Sequence, residues 1–558
     1  MRRSRSFLMA IFGGLFLAAC SDGTGPGPGP SLDCTATDAE VLAVGEHRIL
    51  DPNQTDACVR LPPAGPAGAE HLYVPVATEG TETEVGVEAD YMMSGSSSAA
   101  AAARQASSPL LSAFRPPLRA TAFHTMLRAR ERALSRSPSV ALFDQGRVTA
   151  SATVPPVVGD LRTFSVCSSP ACDNFVATTA RARVVANRVA IFVDTLAPTP
   201  GYSDPTLADV GTLFDDFLYP ADTTAFGRES DIDGNGVVIV LLTQRVNALS
   251  PTCTSTGSVI LGYFFGADLL PRSTNNPGSN EAEIFYGLVP DPSNPDCDIS
   301  EAFARTRLPA TFIHEFQHMI SFNQHRLLRG ASSEDTWLNE GLSHFAEELG
   351  ARRLPAAECA SGSCYQDFLA DGNIPNAYAY LGSTEDFFLI EPGNSTGGLE
   401  ERGANWLFVR WLADHFASDS VLGTDLTRRL VATSLVGASN VVAQTGVDFS
   451  VLVPEWQMAN YLDDLPGFNQ PGSRLRYKTW NFRRVFADSL GQPFPLVPDN
   501  TTGSGYSHIG VLRAGSGRHV LVTQAGNAPL VDLLLSAPSG VEPVSPTVDA
   551  RIGLVRIR

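Results

Sequence analysis

Thr311-Phe312-Ile313-His314-Glu315-Phe316-Gln317-His318-Met319-Ile320 decides how this chain is read. Phe312, Phe316 and Met319 recur at the spacing of one helix face, which predicts a helix through the stretch. Residues four apart on a helix lie on one side, one turn apart, so the His314 and His318 imidazoles stand together. Two imidazoles so placed suit one zinc ion with bonds of about 2.0–2.1 Å. Glu315 follows the first histidine by one residue. Its carboxylate then projects beside the ion rather than onto it, within reach of the proton of an attacking water.

A histidine pair alone leaves a tetrahedral ion incomplete. Working outward, Trp337-Leu338-Asn339-Glu340-Gly341-Leu342-Ser343 supplies the next donor. Glu340 lies 22 positions beyond His318, in a second helical pattern from about Thr336 to Leu349. Two packed helices would bring its carboxylate to the two imidazoles. Two histidines and one glutamate leave a fourth position open, which is the catalytic rather than the structural arrangement. Glu347 and Glu348, on the same helix, read as a solvated face.

The wording HEFQHMISFNQH followed by WLNEGLSHFAEEL resembles the gluzincin metallopeptidases, and within them most resembles the hyicolysin-type peptidases. The resemblance covers roughly residues 158–463. It implies His314, His318 and Glu340 as ligands of one catalytic zinc, and Glu315 as general base in hydrolysis of peptide bonds. Metzincins are set aside because Ser321 and Gln324 stand where their pattern needs Gly and His. His325 lies two turns beyond His318, too far to share the ion. Gly278 to Tyr286 lacks the amine-binding segment of gluzincin aminopeptidases, which favours an endopeptidase, and reads as an edge strand on which a peptide lies. The family's oxyanion-stabilising Tyr or His has no match, since Glu400 stands at that place. Tyr378, Tyr380 and His415 are the substitutes to consider. Thermolysin-like members orient a ligand histidine with an Asp four residues after the ligand Glu, and here that position is His344.

The flanks give the protein's address. Arg2, Arg3 and Arg5 precede an apolar run from Phe7 to Phe16, and Leu17-Ala18-Ala19-Cys20 follows. This resembles a bacterial lipoprotein signal (residues 1–20) with Cys20 as the lipidated residue. Ser21 beside it favours the outer membrane. Residues 21–33 are a Gly/Pro-rich tether. The remaining eight cysteines are an even set, as expected in an oxidising compartment. Proximity suggests pairing Cys34 with Cys58, Cys167 with Cys172, Cys253 with Cys297 and Cys359 with Cys364, among the many pairings eight cysteines allow. A formal charge of −19 argues against nucleic acid as partner. The expected partners are protein or peptide substrates, and the membrane through the lipid anchor only.

With 558 residues, 48 glycines and 39 prolines, the chain is expected to hold several units and many turns. Residues 34–92 read as a small N-terminal β domain. Residues 93–157, opening on SGSSSAAAAA, read as a low-complexity linker or as a pro-segment covering the active site. Residues 158–465 are the catalytic core, strands first and helices after, and 466–558 a C-terminal β-sandwich. The expected fold is thus an α+β zincin-like core (sheet lobe, active-site helices, helical lobe) flanked by small all-β modules. Asp231-Ile232-Asp233-Gly234-Asn235-Gly236 resembles the start of a calcium loop, but its twelfth position is Leu242 where the bidentate Glu belongs. A second function class fits the same layout: an envelope binding or adhesion protein around a vestigial zincin core.

Overall fold

The computed structural model describes residues 34–96 except 36, 119–136, and 154–558 except 257–258, 394, 396, 420 and 471. The signal segment, Cys20 and the tether lie outside the described residues, as do most of residues 93–157. The chain opens with β1 (His47–Leu50), β2 (Cys58–Leu61), β3 (Ala69–Ala77) and β4 (Glu88–Ser96), followed by helix α1 (Arg119–Arg136). Then come β5 (Leu161–Cys167), β6 (Phe175–Val185), β7 (Val189–Asp194), α2 (Asp204–Leu213), β8 (Val238–Leu242), β9 (Gly262–Phe264) and β10 (Ile284–Gly287). The larger helices follow: α3 (Glu301–Phe322), α4 (Thr336–Arg353), α5 (Asn373–Leu381), α6 (Leu399–Phe416) and α7 (Phe449–Leu462). The chain closes with β11 (Asp499–Thr501), β12 (Ser507–Arg513), β13 (Val520–Gln524), β14 (Val531–Ser536) and β15 (Ala550–Arg556). Among the described residues no helix is long and apolar enough to cross a membrane. All four disulfides join the sequence-local pairs expected above.

A six-stranded sheet in the order β5-β6-β7-β8-β10-β9 forms one wall of the region around His314 and His318. Strands β7, β8 and β10 run parallel and are buried along their whole length, as continuous apolar runs such as VIVLL require. The sequence placed the edge at 278–286. The edge strand is instead β9, antiparallel to β10, while β10 lies inside the sheet. The misreading has a physical cause: β9 falls in the continuous apolar run Val259 to Phe264, which reads as an interior strand and carries no mark of an edge. Gly262 is there because a Cβ would meet Thr311 Cγ2 of α3 and the Tyr286 carbonyl, each at 2.6 Å. On the other side, α3 to α7 pack around the fully buried Trp337, Trp406, Trp411 and Trp456.

The two expected β modules are one. The first sheet has the order β1-β15-β3-β13-β11 and the second β12-β4-β14-β2. Strand β3 lies between β15 and β13, and β4 between β12 and β14, so each sheet interleaves both ends of the chain. The boundaries 34–92 and 466–558 therefore mark two halves of a single sandwich. Neither half closes a core: Tyr73, Tyr91 and Met93 from one pack with Leu512, Val522, Leu533 and Ile552 from the other. Burying one apolar face per sheet requires both.

Candidate metal centre

Helix α3 starts at Ser300, whose Oγ accepts the Phe303 N–H at 3.1 Å. From Leu308 onward nearly every residue of α3 is buried, because β9 covers one side and α4 the other. His314 and His318 stand one turn apart with Nε2 atoms 3.2 Å from each other. Glu340 projects from α4, its oxygens 3.7 Å from His314 Nε2 and 3.6 Å from His318 Nε2. All three residues are more than nine-tenths buried.

This triangle has the size a tetrahedral ion needs. Bonds of about 2.0–2.1 Å place neighbouring ligand atoms roughly 3.3–3.4 Å apart. Glu340 Oε1 is buried without a hydrogen-bond partner, which leaves it free to bind a cation. Burial favours the neutral acid at Glu340, yet His314 and His318 hold it ionised, well below the usual carboxylate range. His314 is pulled down by burial and more than restored by Glu340 and Glu347, reaching about 10. Burial holds His318 neutral, with Arg128 adding to the effect. A proton on His314 thus stands where a cation satisfies the same carboxylates.

The two histidines have polar neighbours of their own. Glu347 Oε1 lies 2.7 Å from His314 Nδ1, two helical turns beyond Glu340 on the same face of α4. His344 and His314 keep Glu347 ionised, down to about 2, against the effect of burial. Ser343 Oγ lies beside the His318 ring, 3.1 Å from Nδ1 and 3.3 Å from Nε2, and donates to Gln317 Oε1. A carboxylate on the far ring nitrogen fixes the tautomer and makes the other nitrogen a better ligand. The solvated-face reading of Glu347 and Glu348 is therefore corrected. Glu348 is fully buried, taking Arg352, Arg410 and the indole N–H groups of Trp406 and Trp480. Helix α4 runs through the interior with neighbours on every side, so its polar residues face partners rather than water. Periodicity cannot signal this, since a helix buried all round has no wet face.

Glu315 is the other carboxylate in place. Its Oε2 accepts the Phe264 N–H at 2.7 Å, which ties it to edge strand β9. Burial raises its pKa, opposed by the nearby His314 and Arg128. A cleft of about 380 Å³ opens over His314, Glu315, His344 and Glu347, with Arg402 and Asn376 on its rim. Tyr378, Tyr380 and His415 do not line it. Tyr380 is committed to Gln457, Tyr378 packs on Phe486, and His415 faces the Arg476 carbonyl. Arg402 is the residue that sequence reasoning missed: it lines the cleft, and its Nε is buried without a partner. His344 lines the cleft too, its ring 5.0 Å from that of His314.

Helix α1 occupies part of this region. His124 lines the cleft, and packing around it, with Arg402 beside it, pushes its pKa down to about 3. Arg128 Nη2 donates to the Phe264 carbonyl at 2.6 Å, and Glu131 accepts the Gly266 N–H at 2.5 Å. Phe123 packs edge-on against Tyr263 of β9. The face of β9 that points toward the centre is thus taken by this chain itself.

No protein-family model matches the chain. Over 150 residues, 26% of its length, it is 31% identical to the neutral metalloprotease ShpI of Staphylococcus hyicus. The matched stretch spans 31% of that relative, so the chain covers about a third of it. The similarity to a metalloprotease is therefore partial in both chains, and the chemistry of the site has to be argued from its own geometry.

Proposed function

We propose that this chain is a zinc-dependent endopeptidase of the gluzincin, hyicolysin-like type, exported and lipid-anchored through Cys20 in the bacterial envelope. The observation that carries the reading is the buried triangle of His314, His318 and Glu340 beside a carboxylate, Glu315, that binds no ligand atom of the set. The partial likeness to a neutral metalloprotease supports it.

Bound zinc supplies Lewis acidity to the scissile carbonyl. The rest falls to the chain. Glu315 takes the proton of the attacking water and returns it to the leaving amine. Glu347, on the far nitrogen of His314, keeps that imidazole aimed. Arg402 offers a fixed positive charge toward the developing oxyanion, the part for which the sequence supplied no Tyr or His. The backbone of β9 is the edge along which a peptide substrate lies.

Residues 93–157 then act as a pro-segment rather than a passive linker. The Arg128 contact to the Phe264 carbonyl competes with a substrate for the same edge, and His124 stands in the cleft.

The test is zinc content and casein hydrolysis of the wild type and Glu315→Gln, before and after removal of α1 by cleavage in the flanking segments. One zinc per chain in both, with hydrolysis confined to the wild type, supports the mechanism. Zinc without hydrolysis even after α1 is removed favours the envelope binding protein with a vestigial site. Absence of zinc from both proteins overturns the reading.

A further inference from the structure

Away from the cleft, the loop DIDGNG leads into β8. As a linear calcium loop it fails, because Leu242 stands where the last acidic ligand belongs. The fold supplies that acid from elsewhere. Parallel pairing of β8 with β10 sets Ile239 opposite Ile284, and so carries Glu283, at the start of β10, to the loop. Ligand oxygens of Asp231, Asp233 and Glu283 come within 4.8 Å of one another.

Three carboxylates at that separation repel strongly unless a cation lies among them. The cationic side chain paired with them is Arg162, whose Nη1 is 3.7 Å from Asp233 Oδ2 and which is a third exposed. Glu283 is 2% exposed. Its Oε1 accepts from Ser230 Oγ and the Ile232 N–H, which holds the carboxylate in place, while Oε2 is buried with no hydrogen-bond partner. A buried carboxylate oxygen left without a donor, aimed among two further carboxylates, is a ligand position. The backbone around it is already wrapped: Gly236 N–H donates to Asp231 Oδ1, Asn235 N–H to Asp233 Oδ1, and Val237 N–H to Asn235 Oδ1. Hard oxygen donors without nitrogen or sulfur select calcium or magnesium over zinc. Ligands spread over a loop and a separate strand fit the wider, more tolerant calcium shell better than a small octahedral one.

We propose that Asp231, Asp233 and Glu283 form a calcium site that pins the 230–236 loop to the start of β10. It is separate from the zinc centre and does not depend on the peptidase reading. Because β10 pairs with β9, the strand that holds Glu315, calcium there stiffens the wall of the cleft.

The test uses the full-length chain, zinc-loaded and freed of calcium by exhaustive dialysis against calcium-free buffer that contains zinc. Equilibrium dialysis with radioactive calcium is expected to give one site per chain, with a dissociation constant in roughly the 10⁻⁵–10⁻³ M range. Saturating calcium should raise Tm by several degrees, and equal magnesium by much less. Asp231→Asn with Asp233→Asn should abolish both binding and shift. Glu283→Gln keeps the shape and the accepting oxygen, so it folds and weakens binding at least tenfold. No bound calcium at millimolar concentration in the wild type overturns the proposal. So does binding that survives all three substitutions.

Discussion

Glu347 and Glu283 are both buried acids, held in opposite states by their surroundings. Two imidazoles beside Glu347 keep it ionised, down to about 2, whereas Glu283 faces Asp231 and Asp233 and is pushed up to about 7, chiefly by burial. The first arrangement fixes the His314 ring, a proposed zinc ligand. Glu347→Gln should therefore leave the fold intact by circular dichroism and lower zinc affinity about 10–100-fold, read by competition with a chromogenic chelator. Less than a threefold loss would mean that His314 is oriented by packing alone. The second arrangement gives a pH dependence whose sign follows from linkage. The folded pKa of Glu283 lies above its ordinary 4.5, so the stability it contributes without calcium is complete below that value and lost as pH rises through about 7. The groups facing it are Ser230, the Ile232 amide, Asp231 and Asp233, with Arg162 beside the last. Calcium-free protein should lose Tm between pH 5 and pH 8, and Glu283→Gln should lose less over the same range. Equal slopes for the two proteins would assign the effect to other acids.

At the scale of elements, α3 and α4 show which parts of the centre were legible. That His314, Glu315 and His318 stand together was readable because they share one helix, where spacing alone fixes geometry. Glu340 was readable through its own helical pattern. Glu347 was not, since its role depends on how α4 crosses α3, which no local pattern encodes. Arg402 was hidden for the same reason on α6. That helix reaches the cleft by packing tightly on α5: a Cβ on Gly403 would lie 2.3 Å from the Asn376 carbonyl oxygen. Gly403→Ala forces the two helices apart and should cost about 1–3 kcal/mol, measured by denaturant unfolding, with activity reduced through displaced Arg402 and Asn376. Helix α1 makes the complementary case. Arg128 ties it to the Phe264 carbonyl of β9 and pairs with Glu131 of its own helix at 3.0 Å, while Arg132 contacts Glu82 and, on α4, Thr336. Removing one partner of such a pair is costly. Arg128→Ala should therefore loosen α1 and raise casein hydrolysis of the uncut chain severalfold, without changing activity after α1 has been cut away. A fall in the uncut form would instead make α1 part of the working site.

At the scale of the whole molecule, the sandwich joins the two ends of the chain around everything between them. Local patterns revealed its strands but not its unity, because β3 finds β15 and β13 across more than four hundred residues, and separation of that kind leaves no signal in one sequence. The helical lobe is bound to this sandwich by buried polar contacts. Gln457 of α7 donates to the Gly515 carbonyl at 2.6 Å, His519 Nε2 lies 2.7 Å from the Gln457 carbonyl, and Thr384 donates to the Gly517 carbonyl at 2.8 Å. Glu385 joins Tyr91, His508 and Arg518 from both halves of the sandwich. Cutting the chain at 465 removes the partners of β3 and β4 and leaves each of these groups buried or exposed without its mate. Each such orphaned group costs about 1–3 kcal/mol, and a few together exceed the roughly 5–15 kcal/mol by which a domain is stable. Residues 158–465 alone, and 34–465, should therefore be insoluble or unfolded by circular dichroism. Co-expression of 34–465 with 466–558 should restore a soluble, zinc-binding complex, because the missing strands need only re-pair. A soluble 158–465 fragment that binds zinc and cleaves casein would show that the sandwich is an accessory, and that the buried contacts to α7 are dispensable.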